Sequence, residues 1–276
     1  EKFQKNSTNI RNLQLKDYVQ LEIPIPPISE QKEIVAILDE AFESIDKALE
    51  NEDKNIKNAE ELFQSKLKDI FSEKGDGWKE NTLGEISIVK SGGTPSRSQK
   101  KYWNGSIPWY SSRELNTTYT KDPKRYINQE ALDNSSAKLF TKGSLLIGMY
   151  DTAALKMSIL DRDGAFNQAI SGVMPNDTVD LNFILHSINS IKPDVLKQRR
   201  GVRQKNLNLS KIKNIPIPIP PISEQKEIVA KLYALENELN SLKAKREKRK
   251  SSFEELKKSI LQKAFNGELT NNDKAA

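Results

Sequence analysis

The sequence has no cysteine and only one histidine, His186, among its 276 residues. The missing thiols exclude disulfides, thiolate catalysis and cysteine-ligated zinc, and a single histidine excludes a histidine-rich metal site. No apolar run approaches the roughly 18 residues that a membrane-spanning helix needs. We therefore expect no metal, no cofactor and no membrane contact, and we take the cytoplasm as the default location.

Apolar residues are also scarce, at 36%, while 30% of the residues are charged. This balance is more typical of a folded domain joined to long exposed helices than of one globule. The net charge of +6 is unevenly distributed: residues 77–215 hold 21 Lys and Arg against 12 Asp and Glu, or +9, which leaves −3 elsewhere. The basic middle segment therefore favours a polyanionic partner.

The most distinctive feature is a repeat. The phrase "IPIPPISEQKEIVA" occurs at residues 23–36 and again at 217–230, an offset of 194. The offset holds without a gap over about sixty residues, from "RNLQL" against "KNLNL" to Phe71 against Phe265. A period this long indicates duplication of a large module rather than a solenoid.

Each copy predicts an extended proline-rich lead followed by a long helix. Prolines 24, 26 and 27 forbid a helix, and Ser29 is a suitable N-cap before it, as Ser223 is in the second copy. Neither copy then has a proline or glycine until Gly75 or Gly267. Each helix should be about 43 residues and roughly 65 Å long.

The apolar spacing of both helices predicts a partner helix. In the second copy Ile228, Leu232, Leu235, Leu239 and Leu242 follow a heptad pattern, which passes Arg246 and Arg249 and resumes at Phe253, Leu256 and Ile260. The first copy follows a similar pattern, with a slip of one position after Glu52.

Two copies of one unit predict antiparallel pairing of the two helices. Positions 52 and 246 are equivalent under the offset, so Glu52 and Arg246 should meet near the crossing as an ion pair, with Arg249 also in the charged centre of the seam. The alternative, two unconnected surface helices, is less favoured by the pattern.

Between the helices, short β-prone runs alternate with turn signals. The runs are "EISIVK", "SIPWYSS", "GSLLIGMY", "MSILD" and "AISGVM", and an amphipathic helix should start near Asp180. The fold class expected for the whole chain is α+β: one globular mixed α/β domain flanked by two long helices that pair as an antiparallel coiled coil.

Candidate DNA-binding residues lie in four places within this middle domain. The first is the turn-rich stretch "SGGTPSRSQKKYWNGSIPWYSSRELN", in which Trp103 and Trp109 are expected in the core. The second is the basic run "KQRRGVRQKN", and the others are the strand-following segments "YDTAALK" and "FNQAIS". Cations neutralise phosphates, whereas Asn and Gln can pair with adenine. The candidates are Thr94, Arg97, Lys100, Lys101, Tyr102, Arg113, Tyr150, Lys156, Asn167, Gln168, Arg199, Arg200, Arg203, Gln204 and Lys205.

No catalytic site can be assembled from the motifs. The glycines of "KSGGTPS" lack the Lys-Ser/Thr of a phosphate-binding loop, no "NPPY"-type methyltransferase motif occurs, and the acid-x-Lys triplets "EQK" and "DPK" lack a second acid placed before them. His186 lies within the apolar pattern of a helix, which favours packing over catalysis. We therefore expect no enzyme activity in this chain.

The sequence resembles the DNA-specificity subunits of type I restriction–modification systems. The resemblance rests on "NIPIPIPPISEQKEIVAKL" before a long helix, on "GWKENTLGEISIVKSGGTPS" with "YWNGSIPWYSSRELN", and on "LQKAFNGELT" near the end. It implies a non-catalytic subunit in which target recognition domains read the halves of a bipartite DNA site. Long helices separate the domains and dock methyltransferase subunits, through which the restriction subunit joins.

In these terms residues 75–216 are a complete target recognition domain, and 28–74 and 217–270 are the spacer helices. Residues 1–27 correspond to the last strip of a first recognition domain, and 271–276 to a flexible tail. The sequence leaves two explanations open for the incomplete first domain: a longer protein cut short, or a natural half-subunit that could form a homodimer. A functional alternative also stays open, namely a coiled-coil adaptor that does not recognise DNA sequence.

Overall fold

A computed structural model describes residues 4–7, 10–13, 19, 23–198 and 207–270. The chain forms two compact units, one of residues 1–58 with 240–276 and one of residues 59–239. Helices and strands are mixed, so the expected α+β class is confirmed.

The long helices are α1, Ile28–Ser72, and α6, Ile222–Phe265. Both begin one residue before the serine that was expected to cap them, so that prediction is wrong. The first-turn bonds run from Gln31 N to Pro27 O at 3.0 Å and from Gln225 N to Pro221 O at 3.1 Å. These bonds show that the prolines themselves precede the first helical turn, a position where a missing N–H costs nothing.

In the unit of residues 1–58 and 240–276, three ion pairs join the two helices. Asp53 accepts from Arg246 Nε at 2.8 Å, Lys257 Nζ lies 2.6 Å from Asp46 Oδ1, and Arg249 pairs with Glu52. Residue numbers rise on one helix as they fall on the other, as in an antiparallel pair. The expected Glu52–Arg246 pair is not formed: Arg246 contacts the neighbouring Asp53 instead.

The seam on α6 also differs from the expected heptad. Leu242 and Leu256 are 43% and 45% exposed, whereas the residues after them, Lys243 and Lys257, are half-buried. Lys257 is half-buried because its ammonium group reaches the opposing helix, where it lies 5.2 Å from the centre of the Phe42 ring and pairs with Asp46. Regular knobs-into-holes packing remains a prediction.

Near the start of the chain, β1, Gln4–Ser7, and β2, Ile10–Leu13, form an antiparallel pair. In the middle domain, β3 is Lys79–Thr82, followed by a short helix α2, Leu83–Ile86, and by β4, Val89–Ser91. The run "EISIVK" is therefore only partly a strand. Thr82 and Glu85 form a capping box at the start of α2, and this favours the helical turn.

The remaining elements of the middle domain are β5, Ile107–Tyr110; β6, Arg125–Ile127; α3, Gln129–Asp133; β7, Leu145–Gly148; β8, Met157–Ile159; β9, Ala165–Phe166; β10, Ile170–Val173; α4, Leu181–Gln198; α5, Leu209–Lys213; and β11, Pro216–Ile219. One sheet has the order β4-β10-β7-β8 and is antiparallel. A second has the order β6-β5-β9, with β5 and β9 parallel.

The domain is closed by pairing its beginning to its end: β11 lies antiparallel to β3. Both prolines of β11 are tolerated because this two-stranded sheet leaves them on an edge. The side chain of Trp78, which precedes β3, donates from Nε1 to Glu224 Oε1 at 2.9 Å and packs edge-on against Phe183. The start of α6 is therefore tied directly to the domain.

The main core lies between the four-stranded sheet, α4 and parts of both long helices that belong to the same unit. Phe183, Ile188, Leu67 and Leu232 are fully buried there. Two smaller clusters lie around Phe140–Phe166 and around Trp109. Trp109 is buried as expected, while Trp103 is half-buried beside it.

Candidate nucleic-acid interface

Several chain segments meet at one end of the two domain sheets. β4 ends at Ser91 opposite Ser171, and β7 ends at Gly148 opposite Ile170. The loop after β9 lies between them, because Gly93 N donates to Phe166 O at 2.8 Å and Met149 N donates to Ala169 O at 2.9 Å. We call this region the loop edge: residues 91–94, 111–116, 149–156 and 167–169.

The glycines of "KSGGTPS" are required for the close approach of these segments. A Cβ atom on Gly92 would lie 2.2 Å from Phe166 O, and one on Gly93 would lie 2.2 Å from Ser136 O. Their role is thus backbone packing that brings Thr94 to the loop edge.

Three predicted base-contacting residues lie together at this edge. Thr94 Oγ1 donates to Gln168 Oε1 at 2.5 Å, and Asn167 Oδ1 accepts from Ala169 N at 3.2 Å. Gln168 is exposed and Asn167 half-buried. Because the amide oxygens are engaged, the amide NH₂ groups remain as donors, and such donors can contact acceptors on base edges.

A residue that the sequence did not single out, Asn116, links the side chain of Lys156 to the backbone of Arg113. Asn116 Nδ2 donates to Arg113 O at 2.6 Å, and Lys156 Nζ donates to Asn116 Oδ1 at 3.4 Å. The mixture of basic and aromatic residues in the sequence pointed to this segment, but it gave no reason to single out Asn116.

The segment before Lys156 is held in an unusual conformation. Leu155 has a positive φ of 55°, although its side chain is fully buried, and its N–H donates to Gly148 O at 2.9 Å. The core contact and this bond together compensate for the strained backbone. Tyr150, at the start of the same segment, is half-buried and packs against the main core, so part of its ring is committed to packing.

The predicted basic-run residues Arg199, Arg200, Arg203, Gln204 and Lys205 lie outside the described residues. The chain immediately after them is anchored at the loop edge, because Leu207 N donates to Met149 O at 2.9 Å.

The other predicted residues are not at the loop edge. Lys101 forms an ion pair with Glu130, which raises the pKa of the lysine, and Tyr102 is half-buried against the Trp109 cluster. Arg97 and Lys100 line a separate cleft. Across the described parts of the chain, no group of three or more His, Cys, Asp or Glu residues could hold a metal ion, and no helix there is long and apolar enough to cross a membrane.

The middle domain, with its polar loop edge, lies in the sequence between two copies of a long-helix unit, the organisation of a modular protein. The family model for the type I restriction modification DNA specificity domain matches residues 1–58 and 75–249. The chain therefore belongs to the type I restriction–modification DNA specificity family.

Two relatives illustrate the similarity. The EcoR124I/EcoR124II specificity subunit of Escherichia coli is 32% identical over 247 residues, covering 83% of this chain and 59% of the relative. A putative specificity subunit of Mycoplasma pneumoniae is 30% identical over 258 residues, covering 87% and 71%. This chain thus spans about three fifths of the length of the first of these.

Solved structures show the same fold. The HsdS subunit from Thermoanaerobacter tengcongensis matches with a TM-score of 0.64 at 22% identity, covering 96% of this chain and 65% of that one. A chain from a type I R-M complex matches with a TM-score of 0.75 at 23% identity, covering 90% and 62%.

Proposed function

We propose that this chain is a sequence-specific DNA-recognition subunit, or part of one, in a type I restriction–modification complex. Its domain, residues 75–216, would bind double-stranded DNA and read one half of a bipartite target. The observation that carries the proposal is the loop edge, where Thr94, Asn167 and Gln168 meet although 74 positions separate the first from the last.

The chemistry of that edge suits a DNA groove. Amide donors address base edges, while Arg113 and Lys156 supply positive charge that suits backbone phosphates. Leu207, the first described residue after the basic run, bonds to Met149 at this edge, and the cations of the run would add affinity for the DNA backbone.

Membership of the family supports a proposal for the partners. The long helices would dock methyltransferase subunits, and the restriction subunit would join through them. Methyl transfer and cleavage would belong to those partners, so this chain would itself be non-catalytic and need no cofactor. It would act in the cytoplasm, where the DNA is. A natural half-subunit would form a homodimer to complete the bipartite site.

Selection of bound sequences from a random duplex pool tests this function. The purified chain is used alone and with its methyltransferase partner. Enrichment of one short sequence supports a single reading domain, and two half-sites at fixed spacing support a homodimer. No enrichment in either condition would reject DNA recognition in favour of an adaptor role.

Single-residue variants then test which side chains contact the bases. Gln168→Ala and Asn167→Ala should change the selected sequence or reduce discrimination at one or two positions, because each good base contact contributes about 1–3 kcal/mol of discrimination. Gln129→Ala is the matched control, since Gln129 is an exposed amide on α3 that bonds to Asp133 away from the loop edge. An identical selected sequence for all three variants would remove Gln168 and Asn167 from base contact.

A further inference from the structure

A second cleft in the middle domain is lined by cations and aromatic rings from separate parts of the chain. It has a volume of about 620 Å³, and the side chains that matter are Arg97, Lys100, Trp103, Lys124, Arg125 and Tyr126. Arg97 and Lys100 were expected to contact DNA. Lys124, just before β6, was noted only as part of the "DPK" triplet, and Arg125, the first residue of β6, was not singled out.

None of the four cations has an acidic partner inside the cleft, although outside it, against the raising effect of burial, the charge of Lys124 helps to lower the pKa of Glu114. Within the described residues none of them forms an ion pair, and no acidic side chain lines the cleft. The carboxylate of Glu114, beside Lys124, is held by other hydrogen bonds. Its Oε1 accepts from Lys124 N at 2.9 Å, and its Oε2 accepts from Ser111 N and Ser111 Oγ. Lys101, adjacent to Lys100, is instead neutralised by Glu130. The unpaired positive charge is therefore concentrated in the cleft.

The floor of the cleft is rigid. Trp103 Nε1 donates to Ser96 O at 3.1 Å, and its ring meets Trp109 edge-on with the centroids 5.0 Å apart. The guanidinium of Arg125 lies 5.6 Å from the centre of the Trp103 ring. This stacking reduces the freedom that Arg125 would lose on binding an anion.

The chemistry of the cleft favours a phosphodiester backbone over a base. Four cations match adjacent phosphates, and the exposed part of an aromatic ring suits a deoxyribose. The indole N–H of Trp103 is already occupied by Ser96, so it cannot read a base edge. Binding of this kind contributes affinity without sequence preference.

The distance to the loop edge fits one DNA strand. Arg97 lies three positions after Thr94, so their Cα atoms are at most about 11 Å apart. That distance corresponds to the rise of about three base pairs. A backbone contact in the cleft would thus lie beside the bases read at the loop edge.

We propose that this cleft is a sequence-independent clamp for the DNA backbone, next to the reading residues of the loop edge. The proposal rests on the DNA-recognition function above. In it, the cleft contributes affinity for any DNA sequence, and the loop edge provides specificity for the target sequence.

The test compares Lys124→Ala/Arg125→Ala with Lys101→Ala in the full chain. Binding to the selected duplex and to a shuffled duplex of the same composition is measured at 50–300 mM salt. We expect the double variant to lose about tenfold in affinity for both duplexes and to reduce the salt slope by about 2, since each lost phosphate contact removes about 1 from it. Lys101→Ala, whose lysine is paired with Glu130, should change the slope much less.

Two further measurements separate the outcomes. Thermal unfolding checks the double variant, and Lys100→Ala, an exposed residue without an ion pair in the described structure, repeats the test if that variant is unstable. An unchanged slope and affinity in folded variants, while the wild type binds DNA, would overturn the clamp and leave the recognition function intact. A wild-type chain that binds neither duplex, alone or with its partner, would reject the function itself.

Discussion

The same fourteen residues lie in two different environments in this molecule. In the second copy Val229 is 6% exposed and Ile217 is fully buried, whereas their equivalents in the first copy, Val35 and Ile23, are 54% and 60% exposed. The backbone responds similarly in both, since each copy runs from prolines into a long helix. Local sequence thus determines the helix start, but neighbouring structure determines what the helix buries.

The covering structure in the second copy is the middle domain. Strand β3 pairs with β11, Trp78 bonds to Glu224, and the side chain of Gln225 reaches the start of α4. One other contact of this glutamine occurs in both copies. Gln31 Nε2 donates to Pro26 O at 2.7 Å, as Gln225 Nε2 does to Pro220 O at 2.9 Å. The exposed apolar residues of the first fourteen-residue phrase, Ile23, Ile25, Ile28 and Val35, therefore contribute little to stability in this chain.

Charge insertion at the equivalent valines should give the largest difference. Val229→Asp buries an unpaired carboxylate in the main core and should lower the free energy of unfolding by about 4 kcal/mol or more. Val35→Asp adds a charge to an exposed position and should change it by less than about 0.5 kcal/mol. Chemical denaturation of the two variants measures both values.

Equal losses in the two variants would contradict the difference in burial. Val35→Ala and Val229→Ala provide a milder pair if the Val229→Asp chain does not fold.

The comparison also shows how far the sequence leads. The prolines and the glycine-free, proline-free runs predicted the long helices to within a few residues, because these signals act locally. Ser29 was assigned the wrong role because its preference for a cap was overruled by the prolines, which already occupy the pre-helical positions. The Asp53–Arg246 contact was missed by one residue, since a heptad pattern does not determine which of two adjacent acids faces the partner.

The candidate site was predictable in part for a similar reason. Asn167 and Gln168 were predicted because they follow a strand-like run and strand ends gather at sheet edges, whereas Thr94 was predicted from the turn-rich stretch; the structure brings the three together, and their contact with DNA remains a prediction. Lys124 and Arg125 were not identified, since they enter their cleft through the pairing of β6 with β5, which is a long-range contact. The ion pair of Lys101 was not predicted because its partner, Glu130, lies 29 positions away, and DNA contact by Lys101 remains a prediction.

Removing the equivalent glutamines of the two copies, Gln31 and Gln225, should give the next largest difference. Gln225 is fully buried; its Oε1 accepts from Asp180 N at 2.8 Å, and its Nε2 donates to Thr178 O at 3.2 Å and to Pro220 O. Gln225→Ala leaves these groups unpaired and should cost about 3 kcal/mol. Gln31→Ala removes a single half-exposed bond and should cost under about 1 kcal/mol.

Thermal unfolding of both variants measures the two losses of stability, which can then be compared. A Gln31→Ala variant as unstable as Gln225→Ala would mean that the proline–glutamine bond alone, rather than the link to the domain, provides the stability.

A pH experiment examines positions where the copies differ in sequence. Tyr233 and Glu236 lie beside His186, whereas the first copy has Asp39 and Phe42 there. His186 is 1% exposed, and burial lowers its pKa to about 4 from an ordinary value of 6.5. Below pH 6.5 this histidine binds a proton in the unfolded chain but not in the folded chain, so the free energy of unfolding falls toward pH 4.

The loss from this histidine should be about 2 kcal/mol at pH 5 relative to pH 7.5. His186→Phe should remove that part of the pH dependence, which denaturation at both pH values measures. Burial raises the pKa of Glu236, so protonation of this carboxyl stabilises the folded state in acid and opposes the histidine effect. A variant with the same pH dependence as the wild type would show that His186 is protonated without cost.

The smallest effect is expected where the two copies carry opposite charges. Arg246 contacts Asp53 through two bonds, 2.8 Å and 3.0 Å, but Asp53 is 56% exposed, so the pair is well hydrated. A double-mutant cycle with Asp53→Asn and Arg246→Gln should give a coupling under about 1 kcal/mol that decreases with added salt.

Reversal of both charges, Asp53→Arg with Arg246→Asp, should restore most of the stability that either reversal alone removes. No recovery, with a coupling of zero at low salt, would mean that this pair does not select the antiparallel register. The register would then depend on buried contacts such as Ile45, which is 6% exposed on the opposing helix. Since the charges at this layer differ between the copies while the helix starts are identical, the ion pairs can choose between registers even where they add little to total stability.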